Sequence, residues 1–286
     1  MQADVHLLFQ SDFYRILDFK CRCTDCNESK PEYAEAFCIS FIRKGNFLFN
    51  VFRNSFDSHT GRILVTKPGY EHTVTHTHTV PDECTIFDFK KKFYEELIDH
   101  YGKDAVYFFH NNDLHSLLLT TSAETEYLHH RALANCFEKR ITRLEMDSLV
   151  VELAHRVVKT ISGRKEIARL KDNLKKNHLT TIEKAKTYLA DNFTEDISLK
   201  EIADHCYISA FHFSRIFKIF TAYSPHQYLL NLRLKHAEML LRNTLLPVTD
   251  ICFSSGFNSL EYFSAAFHQK YRTSPSRFRS NKQIAL

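Results

Sequence analysis

Three thiols, Cys21, Cys23 and Cys26, stand within six residues of one another. Thiolates that close could share a soft metal ion, with Cys38 or His72 completing a tetrahedral set. A second cluster, His76-Thr77-His78 with Glu83, has His-x-His-x4-Glu spacing and offers the same chemistry. A third group is of another kind. Phe211, Ser214, Arg215 and Lys218 recur every three or four residues, which places them on one face of a helix. Arg can fork onto a guanine edge, Ser can bond a base or a phosphate, and an aromatic ring can touch a thymine methyl. Each group has a plain alternative: small core thiols, an exposed Thr-rich strand, and a solvated helix face.

The elements that must hold the third group occur twice. Ser198 and Glu201 have capping-box spacing, Ser209 is a good N-cap, and Phe213, Ile216, Phe217 and Phe220 form an apolar face opposite Arg215. From Ser209 onward the pattern returns 50 residues later: Ser259, Phe263, Phe267, Pro275 and Phe278 match Ser209, Phe213, Phe217, Pro225 and Tyr228. One supersecondary unit is used twice, and that unit reads as a helix-turn-helix. Ser224, Pro225 and Gln227 start the helix between the copies, with Leu229, Leu232, Ala237, Leu240 and Leu241 as its buried face. Gly256 falls at the turn of the second copy.

Composition agrees with a folded chain of two domains: 286 residues, 44% hydrophobic, 25% charged, with 25 Phe, 13 Tyr and no Trp. Residues 1–161 carry 19 Lys+Arg and 23 Asp+Glu, net −4; residues 162–286 carry 19 and 11, net +8. A basic half joined to an acidic half suits a polyanion partner. No apolar run is long enough for a membrane span, and Met1-Gln-Ala-Asp-Val-His lacks the layout of a secretion signal. The expectation is a cytoplasmic protein with no membrane partner. The eight Cys, spread along the chain, fit a reducing compartment.

Residues 36–90 read as strands. Lys44-Gly45-Asn46 between 36–43 and 47–52 is a hairpin signal, Thr60-Gly61 and Pro68-Gly69 are turns, and 84–89 is a further strand. Closely spaced short strands argue for a sandwich or barrel. A short helix over 93–98 and longer ones over 123–138 and 141–160 follow. The second long helix has a broad apolar face, which would suit the barrel or a second subunit. Residues 164–179 hold six Lys+Arg and read as linker.

Residues 181–280 resemble the DNA-binding domain of the AraC/XylS family of bacterial transcription regulators. The resemblance rests on Phe213-Ser-Arg-Ile-Phe-Lys218, Ser224-Pro225 with Tyr228-Leu229, Arg233-Leu234, Gly256-Phe257, Tyr262-Phe263-Ser264 and Ser274-Pro275-Ser-Arg-Phe-Arg279. It implies two helix-turn-helix units in adjacent major grooves, about 34 Å apart. Phe211, Ser214, Arg215 and Lys218 would face DNA from the first; Ser259, Glu261, Tyr262, Ala265 and His268 stand on the corresponding side of the second. This chain departs from the family pattern at Ala265, where Arg is usual, and at Ala222 and Arg272, where Gly is usual. Family members commonly sense a small molecule through an N-terminal cupin-like barrel. Residues 36–90, with Pro68-Gly-Tyr-Glu-His72, resemble one, and the His76 cluster has the ligand spacing of metal-binding cupins with the motif order reversed.

The fold class that follows is α+β: a cupin-like β-barrel with following helices over 1–160, a basic linker over 161–180, and an all-α domain with two helix-turn-helix units over 181–286. The function that follows is a DNA-binding regulator, an activator by family habit, with no catalysis. Its partners would be double-stranded DNA, a small-molecule effector near Arg43, Tyr70 and His72, RNA polymerase, and a second copy through the 123–160 helices. No cofactor is required; zinc or another transition metal is the one the clusters leave room for. The alternatives are a metal- or thiol-responsive regulator using Cys21–Cys26, and a metal-dependent cupin enzyme tethered to DNA.

Overall fold

The computed structural model describes residues 3–22, 28–76, 81–101, 106–138, 142–162 and 172–283. Contacts divide the chain into two units, Met1–Glu183 and Lys184–Leu286.

The first unit opens on β1 (Ala3–Gln10), β2 (Tyr14–Cys21), β3 (Glu32–Tyr33), β4 (Phe37–Lys44), β5 (Asn46–Val51), β6 (Asn54–His59), β7 (Arg62–Thr66), β8 (Glu71–His76) and β9 (Glu83–Phe89). Then come α1 (Lys91–Tyr101), α2 (Val106–Phe109), β10 (Ser116–Thr120), α3 (Ala123–Glu138), α4 (Arg143–Ser162) and the first half of α5 (Asp172–Asn192). The strands form two antiparallel sheets, in the orders β1-β2-β9-β4-β7-β10 and β3-β8-β5-β6. Phe47, Phe49, Val51 and Val74 of the smaller sheet pack with Ile42, Leu64 and Cys84 of the larger.

The larger sheet is buried on its other face too. There Phe37 stacks on Tyr94 of α1, Phe41 on His129 of α3, and the Tyr14 hydroxyl donates to Asp147 of α4 at 2.8 Å. Burial on both faces explains why β4 is largely apolar on both, with Phe37, Ile39 and Phe41 on one and Cys38, Ser40 and Ile42 on the other. The apolar face of α4, from Met146 to Ile161, is buried within the single chain. Its main partner within the unit is α3.

The Lys44-Gly45-Asn46 turn joins strands of different sheets and makes no hairpin. β4 pairs with β7 and β9, whereas β5 pairs with β6 and β8. Gly45, at φ +86, swings the chain from one sheet to the other. Strands β1, β2 and β10 carry no flanking turn motif of that kind, and β6 is polar enough to read as a loop although Thr60-Gly61 follows it. The segment read as linker is helical from Asp172, and α5 has charged contacts with the strand segments on both sides of 180. Lys175 pairs with Asp57 at 2.6 Å, and Glu183 accepts from the Gly45 amide at 3.1 Å and the Thr60 hydroxyl at 2.7 Å.

Buried His59, at the end of β6, is held as a neutral ring. Nδ1 lies 2.8 Å from the Thr60 carbonyl, and Arg62 Nε donates to Nε2 at 3.4 Å. Burial, with the Arg62 charge adding to it, pushes its pKa down to about 4. An unfolded His takes up its proton near pH 6.5, ahead of the folded one. The stability this ring contributes is complete above about pH 6.5 and is lost as pH falls toward about 4. Urea midpoints of the first unit should drop across that window, and the drop should shrink in His59→Gln.

The second unit holds the rest of α5, then α6 (Leu199–His205), α7 (Ala210–Thr221), α8 (Pro225–Asn243), α9 (Val248–Ser254), α10 (Leu260–Tyr271) and α11 (Pro275–Gln283). The caps are where the sequence places them. Ser198 with Glu201 and Ser224 with Gln227 form complete capping boxes, and Ser209 and Ser259 cap α7 and α10. Gly256 stands at φ +80, and a Cβ there would come within 2.7 Å of the Thr194 backbone. Arg233 fastens α8 beside it, donating to the Phe193 and Glu195 carbonyls at 2.7 and 2.6 Å.

Candidate nucleic-acid interface and barrel cavity

Between the two sheets lies a cavity of about 320 Å³. Alternation along each strand decides what reaches it. Cys38 and Ser40 of β4, Cys84, Ile86 and Asp88 of β9, and His72, Val74 and His76 of β8 face inward. His72, one of three residues proposed for an effector, is on this wall and stacks on Phe49. The other two are not on it. Arg43 is five residues from Cys38, so it points to the opposite face and pairs there with Asp18. Tyr70 precedes β8 and packs against Phe52 and His115. The polar wall groups missed by the sequence reading include Arg15 and Asp88, which pair with each other, Asp82, and the carboxylates of Glu32 and Glu35.

Parity also sorts the metal candidates. Glu83 is one residue off the inward register of Cys84 and turns away, toward Arg43 and Lys44. The His-x-His-x4-Glu set therefore does not converge through Glu83. Cys23, Cys26 and His78 lie outside the described residues. Cys21 and His76 come from the two separate clusters and meet each other, with Asp82 beside them. Cys38, offered as a fourth thiolate, is pushed up to about 12 by burial and stays protonated.

In the second unit α6 packs on α7, and Phe213, Ile216, Phe217 and Phe220 are buried beneath it. The opposite side of α7 is open. Phe211 is 83% exposed, Arg215 and Lys218 are exposed, and Ser214 is half-buried. The second copy repeats this division. Phe263, Ala266 and Phe267 go inward with Phe257, while Glu261, Tyr262, Ala265 and His268 face out. An exposed Phe on a helix flanked by Arg and Lys has the chemistry of a base-reading surface, since the ring can touch a thymine methyl and Arg can fork onto a guanine edge. The sequence reading passed over Tyr207, 85% exposed in the turn between α6 and α7, at the position Gly256 holds in the second copy.

Residues 202–281 match a family described as a helix-turn-helix domain. The chain is 33% identical over 110 residues to the HTH-type transcriptional activator RhaS of Enterobacter sp. (strain 638), 38% of this chain and 40% of that protein. Against RhaS of Escherichia fergusonii it is 32% identical over 155 residues, 51% of this chain and 54% of that protein. Residues 202–281 form an AraC-type helix-turn-helix domain. The chain thus spans about half, or less, of the length of the relatives it matches. The C-terminal domain of AraT, a response regulator from Geobacillus stearothermophilus, is 27% identical with a TM-score of 0.35, over 40% of this chain and 88% of that one.

The AraC-type domain keeps its helix ends despite two missing glycines. Ala222 and Arg272 close α7 and α10 in the left-handed region, at φ 62 and 59, each donating its amide to the carbonyl four residues back. A side chain there costs about 1 kcal/mol. Ala222→Gly should therefore raise the unfolding free energy of the AraC-type domain by about 1 kcal/mol, read as a higher urea midpoint. At the start of α10, Ser259 is occupied by its own helix. Its Oγ accepts from the Tyr262 amide at 3.2 Å and donates to Glu261 at 2.6 Å. That bond holds the Glu261 carboxyl below its usual range. The second copy presents a fixed anion at its leading turn, where the first presents Phe211.

Proposed function

We propose that the chain is a sequence-specific DNA-binding transcription regulator without catalysis, in which α7 and α10 enter successive major grooves. The observation that carries the reading is the exposed face of Phe211, Ser214, Arg215 and Lys218, opposite a fully buried Phe face. The likeness to proteins named as activators favours activation, and so a contact with RNA polymerase. The cavity supplies a place for an effector. Its apolar wall of Phe19, Phe47, Phe49 and Leu64, with the Arg15–Asp88 pair, suits a small, mostly apolar molecule carrying one polar group. Such an effector acts only through different affinities for two states of the chain. A dimer through the helices would use Phe137, Leu144 and Val151, which remain exposed on α3 and α4.

Selection of bound sequences from a random double-stranded pool tests the reading. Two conserved blocks about one helical turn apart are the expected result. Enrichment of a single block would remove α10 from base reading. No enrichment, combined with salt-insensitive binding, would overturn the proposal.

A further inference from the structure

We propose that Cys21, His76 and Asp82 form a zinc-type metal site at the end of the barrel cavity. The three come from the end of β2, the end of β8 and the residue before β9. Cys21 Sγ lies 4.0 Å from His76 Nδ1, and His76 Nδ1 lies 2.8 Å from Asp82 Oδ2. One ligand atom from each lies within 4.8 Å of the other two. Bond lengths of about 2.3 Å to sulfur and about 2.0 Å to nitrogen and oxygen put tetrahedral ligands roughly 3.3–3.6 Å apart. The 2.8 and 4.0 Å spacings lie on either side of that range and the third is under 4.8 Å, so side-chain shifts of about an ångström bring the three donors onto one ion.

All three side chains are buried, and the surroundings hold the ligands in place. The Cys21 amide donates to the Asp82 carbonyl at 2.9 Å, locking the end of β2 to the Asp82 segment. The Asn46 amide donates to the Asp82 carboxylate, the kind of second contact that orients a ligating group. Gly45 leaves room for it, since a Cβ there would come within 2.9 Å of the Asp82 Cα.

Charge selects the metal. A thiolate, a carboxylate and a neutral imidazole total −2, which a divalent ion cancels in a buried site. A monovalent ion would leave a net anion there. The mixed sulfur, nitrogen and oxygen set suits zinc, which is borderline-soft. Binding releases the Cys21 thiol proton, and the hydrogen between His76 and Asp82 moves to Nε2 of the same ring, so that Nδ1 and Oδ2 can coordinate while the imidazole stays neutral. His76 and Asp82 line the cavity, so the fourth position of the ion opens toward it.

This inference does not rest on the DNA-binding reading; a chain that selects no operator can still hold zinc. The test is equilibrium dialysis of the full chain with Zn2+, paired with Co2+ absorption spectra. One ion per chain and a near-ultraviolet thiolate-to-cobalt band are expected. Cys21→Ser should abolish that band and, like Asp82→Asn, weaken binding by about a hundredfold or more. Glu83→Gln, on the outward face, should leave both unchanged. The proposal is overturned by no stoichiometric metal, by a cobalt spectrum lacking the thiolate band, or by a band that survives Cys21→Ser and disappears in Cys23→Ser or Cys26→Ser. Should Cys21→Ser fail to fold by circular dichroism, the cobalt spectrum of the unaltered chain and the affinity of Asp82→Asn decide the matter.

Discussion

Glu238→Ala should cost the AraC-type domain about 3–5 kcal/mol of stability. Glu238 is 0% exposed and Lys235 1%, and Lys235 Nζ sits 2.6 Å from Glu238 Oε2. Arg242 reaches the other carboxylate oxygen from the next turn of α8. Removing the carboxylate leaves an ammonium group in the interior without that anion, and desolvation of a charge is the largest penalty a substitution can expose. A domain of this size has only about 5–15 kcal/mol in total, so the loss approaches unfolding. Glu238→Gln, which keeps the volume and an acceptor, should recover part of it. The double change Lys235→Met with Glu238→Leu should be milder than the single one, because it removes both desolvation costs together. Calorimetry of the full chain, following the transition that Ala222→Gly shifts upward, provides the measurement. A loss under about 1 kcal/mol would mean that water reaches Lys235.

That buried pair marks a limit of what the sequence discloses. The apolar residues Leu229, Leu232, Ala237, Leu240 and Leu241 were legible as the inner face of α8; Leu240 is half-buried and the other four are buried. Lys235 and Glu238 fall on the same side, and no pattern rule distinguishes a buried charge pair from a solvated one. The helix-turn-helix units were legible because their signals are local: a capping Ser, a three-to-four repeat, a Gly in a turn. The first unit was less so, because sheet partners are chosen at long range. Gly45 announced a turn and not which sheet the chain enters next. The same limit applied to the cavity. Arg43 and His72 looked equally suitable as polar wall groups, and strand parity separates them only once the sheets are paired. Cys21, His76 and Asp82 lie up to 61 residues apart in sequence. Cys21 and His76 were noticed within their own clusters, whereas Asp82 was hidden by the more conspicuous Glu83 beside it.

Arg215→Ala should weaken binding to the preferred DNA site by about 1–3 kcal/mol and relax selection at one base position. Arg215 is exposed on α7, one turn beyond Phe211 and beside Ser214, with Lys218 a turn further on. Its guanidinium makes no capping bond or ion pair among the described residues, so the change should leave folding intact. The neighbouring Lys218 provides the contrast. As a phosphate contact it should lower affinity nearly uniformly across sequences when replaced, and reduce the salt slope by about one. The second copy extends the argument. Ala265 occupies the place of Arg215, with the anionic Glu261 one turn before it. Ala265→Arg should strengthen binding mainly through phosphates, and Glu261→Gln should add to that gain by removing repulsion. Affinities measured on the selected operator and on scrambled DNA, at two salt concentrations, separate these outcomes. If Arg215→Ala left both affinity and base preference unchanged, α7 would not be the reading helix, and the exposed Phe211 would need another partner.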